Sequence, residues 1–148
     1  MNMTQGSKSI AIGAAVVVAA ISALVTMAVW TAPTRGALRC YTQMLGAANA
    51  EDVEAIRQLC SIRYVANHSF KVAPEGGIVG FPRNIHKNFK AWRSGPNVWL
   101  CPTNRVGPVY QFVNEVGSWR FDGPVGTLNP GNVFTAFADE GAAASANH

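Results

Sequence analysis

The chain lacks the short signatures that tie a residue pattern to a chemistry. It has no P-loop, no G-x-S-x-G elbow, no H-E-x-x-H pair and no Rossmann glycine pattern. That removes the phosphate loop, the serine-hydrolase nucleophile, the zinc-protease helix and the dinucleotide fold in turn. Cysteine is scarce. Cys40, Cys60 and Cys101 show neither C-x-x-C pairing nor a histidine at ligand spacing, so no zinc site and no cofactor is expected. An odd number allows at most one internal disulfide outside the cytoplasm, and the apolar pattern around each cysteine is the setting of a buried thiol. Charge is sparse as well, and a net charge of +4 is too mild to imply nucleic acid.

What the chain has instead is an apolar run. Residues 10–30, IAIGAAVVVAAISALVTMAVW, carry no charge. As a helix they make a rod of about 31 Å, close to the thickness of a bilayer's hydrocarbon layer. A cleavable signal peptide is the competing reading, with Lys8 as its basic region. The run is longer than such a segment needs, and a cut after Ala32 places bulky Trp30 at −3 and Pro33 directly after it. The expectation is an uncleaved single-pass anchor in a bacterial inner membrane, with residues 1–9 as a short tail and the folded domain outside. Ala15, Ala19 and Ala23 form a small-residue ridge of the kind that lets two helices approach, although an alanine-rich span also makes one by chance. At the other end, residues 135–148 have the small and polar composition of a disordered tail. Residues 34–134 are left, enough for one domain and not for two.

Within that domain the chain begins as a helix pair. Leu38, Tyr41 and Leu45, with Met44 and Ala48, form one helical stripe. Asn49 is placed to cap a second helix, whose first turn holds Glu51, Asp52 and Glu54 and whose buried face is Val53, Ile56, Leu59 and Cys60. Residues 62–72, rich in β-branched and aromatic side chains, read as a short strand before the breakers Pro74 to Gly77. In residues 82–93 the helical period gathers Ile85, Phe89 and Trp92 on one side and Arg83, Lys87 and Lys90 on the other, which predicts a third helix ending near Gly95. Then come three strand-like segments, NVWLCPTN, GPVYQFVNE and SWRFDGPVG, the last two joined by a tight link at Glu115-Val116-Gly117. Helices first and adjacent strands last predict an α+β domain, helices packed on an antiparallel sheet.

Three stretches carry a family resemblance: residues 41–60, residues 76–97 and the closing hairpin 109–125 with Gly117, Trp119 and Asp122. Together they resemble the nuclear transport factor 2-like superfamily, particularly its SnoaL-like bacterial branches. The resemblance implies a cone, three helices wrapped by a curved antiparallel sheet around an apolar pocket. That superfamily includes isomerases, dehydratases and cyclases, whose Asp, Glu, His or Tyr projects into the pocket, and also inert binding and assembly modules.

Candidate site residues follow from these readings. Asp122 and His86 are the candidate bases, with Tyr64 and Tyr110 as polar helpers. A strand-end Asp122 paired with Arg120, and a solvated His86, are the plainer accounts. Tyr64, Trp92, Trp99, Tyr110 and Trp119 are candidates to line a pocket. Arg83, Lys87, Lys90, Arg93 and Arg105 form a basic set uninterrupted by any acid, suited to anionic headgroups or an acidic partner and equally to a solvated face. Asn67-His68-Ser69 has the form of a glycosylation acceptor, which matters only in a eukaryotic host. The expected function is a noncatalytic, membrane-anchored binding or assembly module. It contacts lipid through its anchor and a protein partner or second copy through its domain, and no nucleic acid. The alternative is a small pocket enzyme of the isomerase, dehydratase or cyclase type.

Overall fold

The structure, a computed structural model, describes residues 5–81, 89–102 and 106–137, with side chains described at 16, 17, 19–27 and, within those ranges, from 31 onward. The chain divides into two units, Met1–Pro33 and Thr34–His148. Helix α1 is Gln5–Asn49 and contains Pro33.

In the first unit every described side chain from 16 to 27 is exposed, Val16, Val17, Ile21, Leu24, Val25 and Met27 among them. Thr26 Oγ1 donates to the Ser22 carbonyl at 2.8 Å, which supplies the hydroxyl with a partner inside the helix. Among the described residues no helix is long and apolar enough to cross a membrane; the side chains of residues 10–30 belong to that set only in part.

The second unit is α+β. The end of α1 buries Ala37, Cys40, Tyr41, Met44, Leu45 and Ala48, a stripe at helical spacing as its sequence predicts. Helix α2 (Val53–Leu59) is capped by Asp52, whose side chain accepts from Ala55 N at 2.9 Å. Asn49, expected in that role, is instead the last residue of α1. Residues 62–72 also depart from expectation. Ser61 caps Tyr64 N at 3.0 Å and starts helix α3 (Ile62–Asn67), so a cap overrides the β-branched composition.

Five strands follow: β1 (Lys90–Ser94), β2 (Asn97–Cys101), β3 (Gly107–Glu115), β4 (Ser118–Asn129) and β5 (Val133–Ala136). They lie in the order β1-β2-β3-β4-β5, each antiparallel to its neighbour. The three strand-like segments and their link are in place, with Val116 and Gly117 both at positive φ in a two-residue turn. The third helix is corrected over its last part. Residues 90–94 form β1, because Trp92 pairs across to Trp99 and Ala91 to Leu100; the rest of that prediction, residues 82–88, lies outside the described residues. Strand β5 reaches Ala136, two residues into the stretch expected as a tail.

Paired positions share a face of the sheet. One face, with Val98, Leu100, Phe112 and Phe121, packs with α1 and Ile56 of α2 in the main core. The opposite face gathers Cys101, Val109 and Leu128 with Trp92, Trp99 and Phe134. Two contacts show how strongly this second face is curled inward. Trp99 on β2 and Phe134 on β5 have ring centroids 4.8 Å apart, whereas three strand spacings in a flat sheet are about 14 Å. Lys90 on the first edge strand donates to Asn132 Oδ1, beside the last one, at 2.8 Å. The sheet is a half-barrel filled by aromatic side chains.

Two glycines of α1 are expected to respond in opposite directions. A Cβ at Gly36 would stand 2.2 Å from Trp119 Cδ1, while one at Gly46 meets nothing within 4 Å. Gly36→Ala should lose about 1–3 kcal/mol by overpacking, and Gly46→Ala should gain about 0.5–1 kcal/mol of helix propensity. Urea denaturation of the two purified variants checks both signs.

Candidate functional site

The site is organised by an irregularity in β4. Gln111 pairs with Gly123 and Phe112 with Phe121, so Asp122 is the extra residue of a bulge. Gly123 takes φ +105°, and a Cβ there would press on the Tyr64 ring at 3.0 Å. On the outer edge of β4, the Ser61 N–H bonds to the Phe121 carbonyl at 2.7 Å, and β5 takes over only from Gly126. Among the described residues no strand lies beside the stretch between.

Asp122 is buried, and its carboxylate is surrounded by donors. Ser61 Oγ donates to Oδ1, as does Arg63 Nε at 3.2 Å. Oδ2 accepts from Arg63 Nη2 at 2.6 Å and from Gln111 Nε2 at 2.9 Å. Arg63 Nη2 also bonds the Asp122 carbonyl at 3.0 Å. Gln111 Oε1 in turn accepts from Trp99 Nε1 at 2.9 Å, which fixes the orientation of the amide. A polar thread thus runs from the half-barrel's interior, through the bulge, to the start of α3. Burial alone pushes the Asp122 carboxyl up. Hydrogen bonds from Arg63, Ser61 and Gln111, with the charge of Arg63, outweigh it and hold the group below its ordinary value. Asp122 is an ionised anchor; a general base needs a carboxylate with less help.

The partner is Arg63, not the expected Arg120. Arg120 sits close enough to Cys40 and Cys60 to favour their thiolates, but burial dominates there and pushes those thiols up to about 11 and about 12. All three cysteines are buried, and the two with raised values are protonated and unreactive at neutral pH.

Beside the bulge lies an open hollow of about 720 Å³ between α3, residues 122–125 and β5. Of the candidate pocket residues, Tyr64 and Trp99 line it; Trp92, Tyr110 and Trp119 do not. Tyr110 packs in the core with its ring 6.4 Å from that of Tyr41, Trp92 turns its edge to Trp99 inside the half-barrel, and Trp119 lies over Gly36. His86, Arg83, Lys87 and Arg105 lie outside the described residues. Lys90 and Arg93 do not form a helical face, since they sit on opposite sides of β1; Lys90 stands 5.5 Å from the centre of the Trp92 ring. Sequence reasoning missed Arg63, Gln111 and Phe134, and considered Asn67 and His68 only as parts of a triplet. One signal was present: Arg63 and Asn67, four positions apart, share a helical face once residues 62–67 are read as a helix.

No protein-family model, no curated protein and no solved structure matches this chain. The geometry stands alone.

The lowered acidity of Asp122 sets a pH dependence. Its stabilising contribution is complete above the ordinary aspartate value of 3.8 and is lost as pH falls through the lower folded value. Asp122→Asn should cost about 2–3 kcal/mol at neutral pH, less than a fully enclosed ion pair because Arg63 faces water. The difference from wild type should shrink below about pH 4, read by denaturant midpoints at pH 7 and pH 3.

Proposed function

We propose that this protein is a noncatalytic binding module held in a bacterial inner membrane by a single N-terminal span, its folded unit on the extracytoplasmic side. The observation that carries the reading is the exposure of Val16, Val17, Ile21, Leu24, Val25 and Met27, every large apolar side chain described between Val16 and Met27, in a helix whose uncharged run continues from residue 10 to residue 30. Such a surface needs an apolar environment, and the internally bonded hydroxyl of Thr26 suits one. The engaged state of Asp122 favours binding over acid–base chemistry. In this proposal the folded unit belongs with the binding branches of the nuclear transport factor 2-like superfamily. A helix pair followed by a curled antiparallel sheet supports that assignment, and strand β1 in place of the end of a third helix counts against it in that stretch. Lipid is met through the anchor, and a protein partner or second copy through the domain.

Membrane fractionation tests the anchor. The full chain should remain in the pellet after alkaline carbonate extraction. Val17→Asp combined with Ile21→Asp, roughly 5–7 kcal/mol against insertion, should move it to the supernatant. Wild-type protein with an intact N-terminus found in the supernatant overturns the reading.

A further inference from the structure

The hollow beside the β4 bulge has two unlike walls. Arg63, Tyr64 and Asn67 of α3 and His68, the extended residue that ends it, all line it, Arg63 and Asn67 one helical turn apart. The aromatic part of the lining comes from other elements: Phe134 from β5, Phe137 just after it, and Trp99 from β2. The polar wall is partly committed. Asn67 Nδ2 donates to the Arg63 carbonyl at 2.9 Å. His68 Nδ1 lies 3.0 Å from the Tyr64 carbonyl, and since a carbonyl only accepts, that nitrogen carries the hydrogen. The second atoms of these side chains, Asn67 Oδ1 and His68 Nε2, and the Tyr64 hydroxyl take no hydrogen bond among the described residues. The ring of His68 lies flat on that of Tyr64, centroids 3.9 Å apart and 15° from parallel. Phe137, 52% exposed, borders the opening.

Charge narrows the occupant. Arg63 and Asp122 are the only charged lining residues among those described, and they are paired at 2.6 Å, so nothing in the hollow recruits a phosphate or a free cation. An acyl chain would leave the polar wall without partners. A suitable guest is uncharged and tolerates water. It presents hydroxyl or amide groups along one edge and a C–H surface on the other. A pyranose ring has this form: its ring hydroxyls meet planar polar side chains at the edge, while its C–H face lies against aromatic rings. The volume falls within the range of small-molecule sites, about 300–1,000 Å³.

We infer that the hollow between α3 and β5 binds a neutral saccharide, with Asn67, His68 and Tyr64 as its hydrogen-bonding wall and Phe134 and Phe137 as its apolar wall. The inference rests on the folded unit being a binding module and not on the anchor.

The test uses the full chain in a detergent without a sugar headgroup, titrated with maltotriose and with triacetylchitotriose and followed by tryptophan fluorescence and calorimetry. At least one sugar should bind saturably. Asn67→Ala and Phe137→Ala should each weaken binding about tenfold with the thermal midpoint unchanged, because both side chains lie on the exposed margin. Absence of saturable binding by both sugars overturns the inference. So does binding that both variants retain at full strength, or saturable binding of sodium decanoate where neither sugar binds. A chain that stays in the carbonate pellet yet ignores both sugars removes this inference and leaves the anchored module standing.

Discussion

The buried carboxylate of Asp122 is the constraint around which the rest of the folded unit is arranged. Its donors come from the cap of α3, from an arginine in the first turn of that helix and from a glutamine on β3. A carboxylate this deep is tolerable only with its lone pairs satisfied. Satisfying them fixes three elements at once. Ser61 has two tasks, since its hydroxyl donates to Asp122 and accepts from Tyr64 N. Start of helix and strand bulge therefore stand or fall together.

The hollow follows from that arrangement. The bulge interrupts β4, and the short helix docks on one side of the interruption while β5 begins on the other. Curling of the sheet then brings Phe134 across the interior to Trp99. No residue is devoted to making the opening. It is the space left where one edge partner ends and the next begins, and its polar and apolar walls differ because a helix supplies one and an edge strand the other. The half-barrel's interior holds a second cluster, Cys101, Val109 and Leu128 packed with the partly buried Trp92, Trp99, Val125 and Phe134, and two of these rings, Trp99 and Phe134, also line the hollow.

Much of the secondary structure could be read from the sequence. The stripe ending at Ala48 and the closing strands stand out because a single period fits each and Gly or Pro bounds the strands. The failures have local causes. Residues 62–67 carry strand-like composition, but a serine cap and docking onto β4 decide them. Residues 90–93 satisfy a helical period, yet Trp92 and Trp99 face each other across a hairpin. Asp122 was legible as a motif residue but its partner was not, because Arg63 lies 59 positions away and no local pattern joins them. VFTA is too short to announce itself as a strand, and its apolar face has meaning only against Trp99.

The meander order of the sheet has a consequence for how the chain finds its fold. Every neighbouring pair of strands is adjacent in sequence, so each hairpin closes a short loop, and sheets built this way acquire most of their pairing from local encounters. The contact from Ser61 to Asp122 spans 61 positions, and closing it gives up more chain entropy, about 0.6 kcal/mol for every doubling of loop length. The half-barrel is thus the part the chain reaches through short closures, and completing the wall of the hollow is a later, entropically costlier step, as is docking α1, whose Gly36 lies against Trp119.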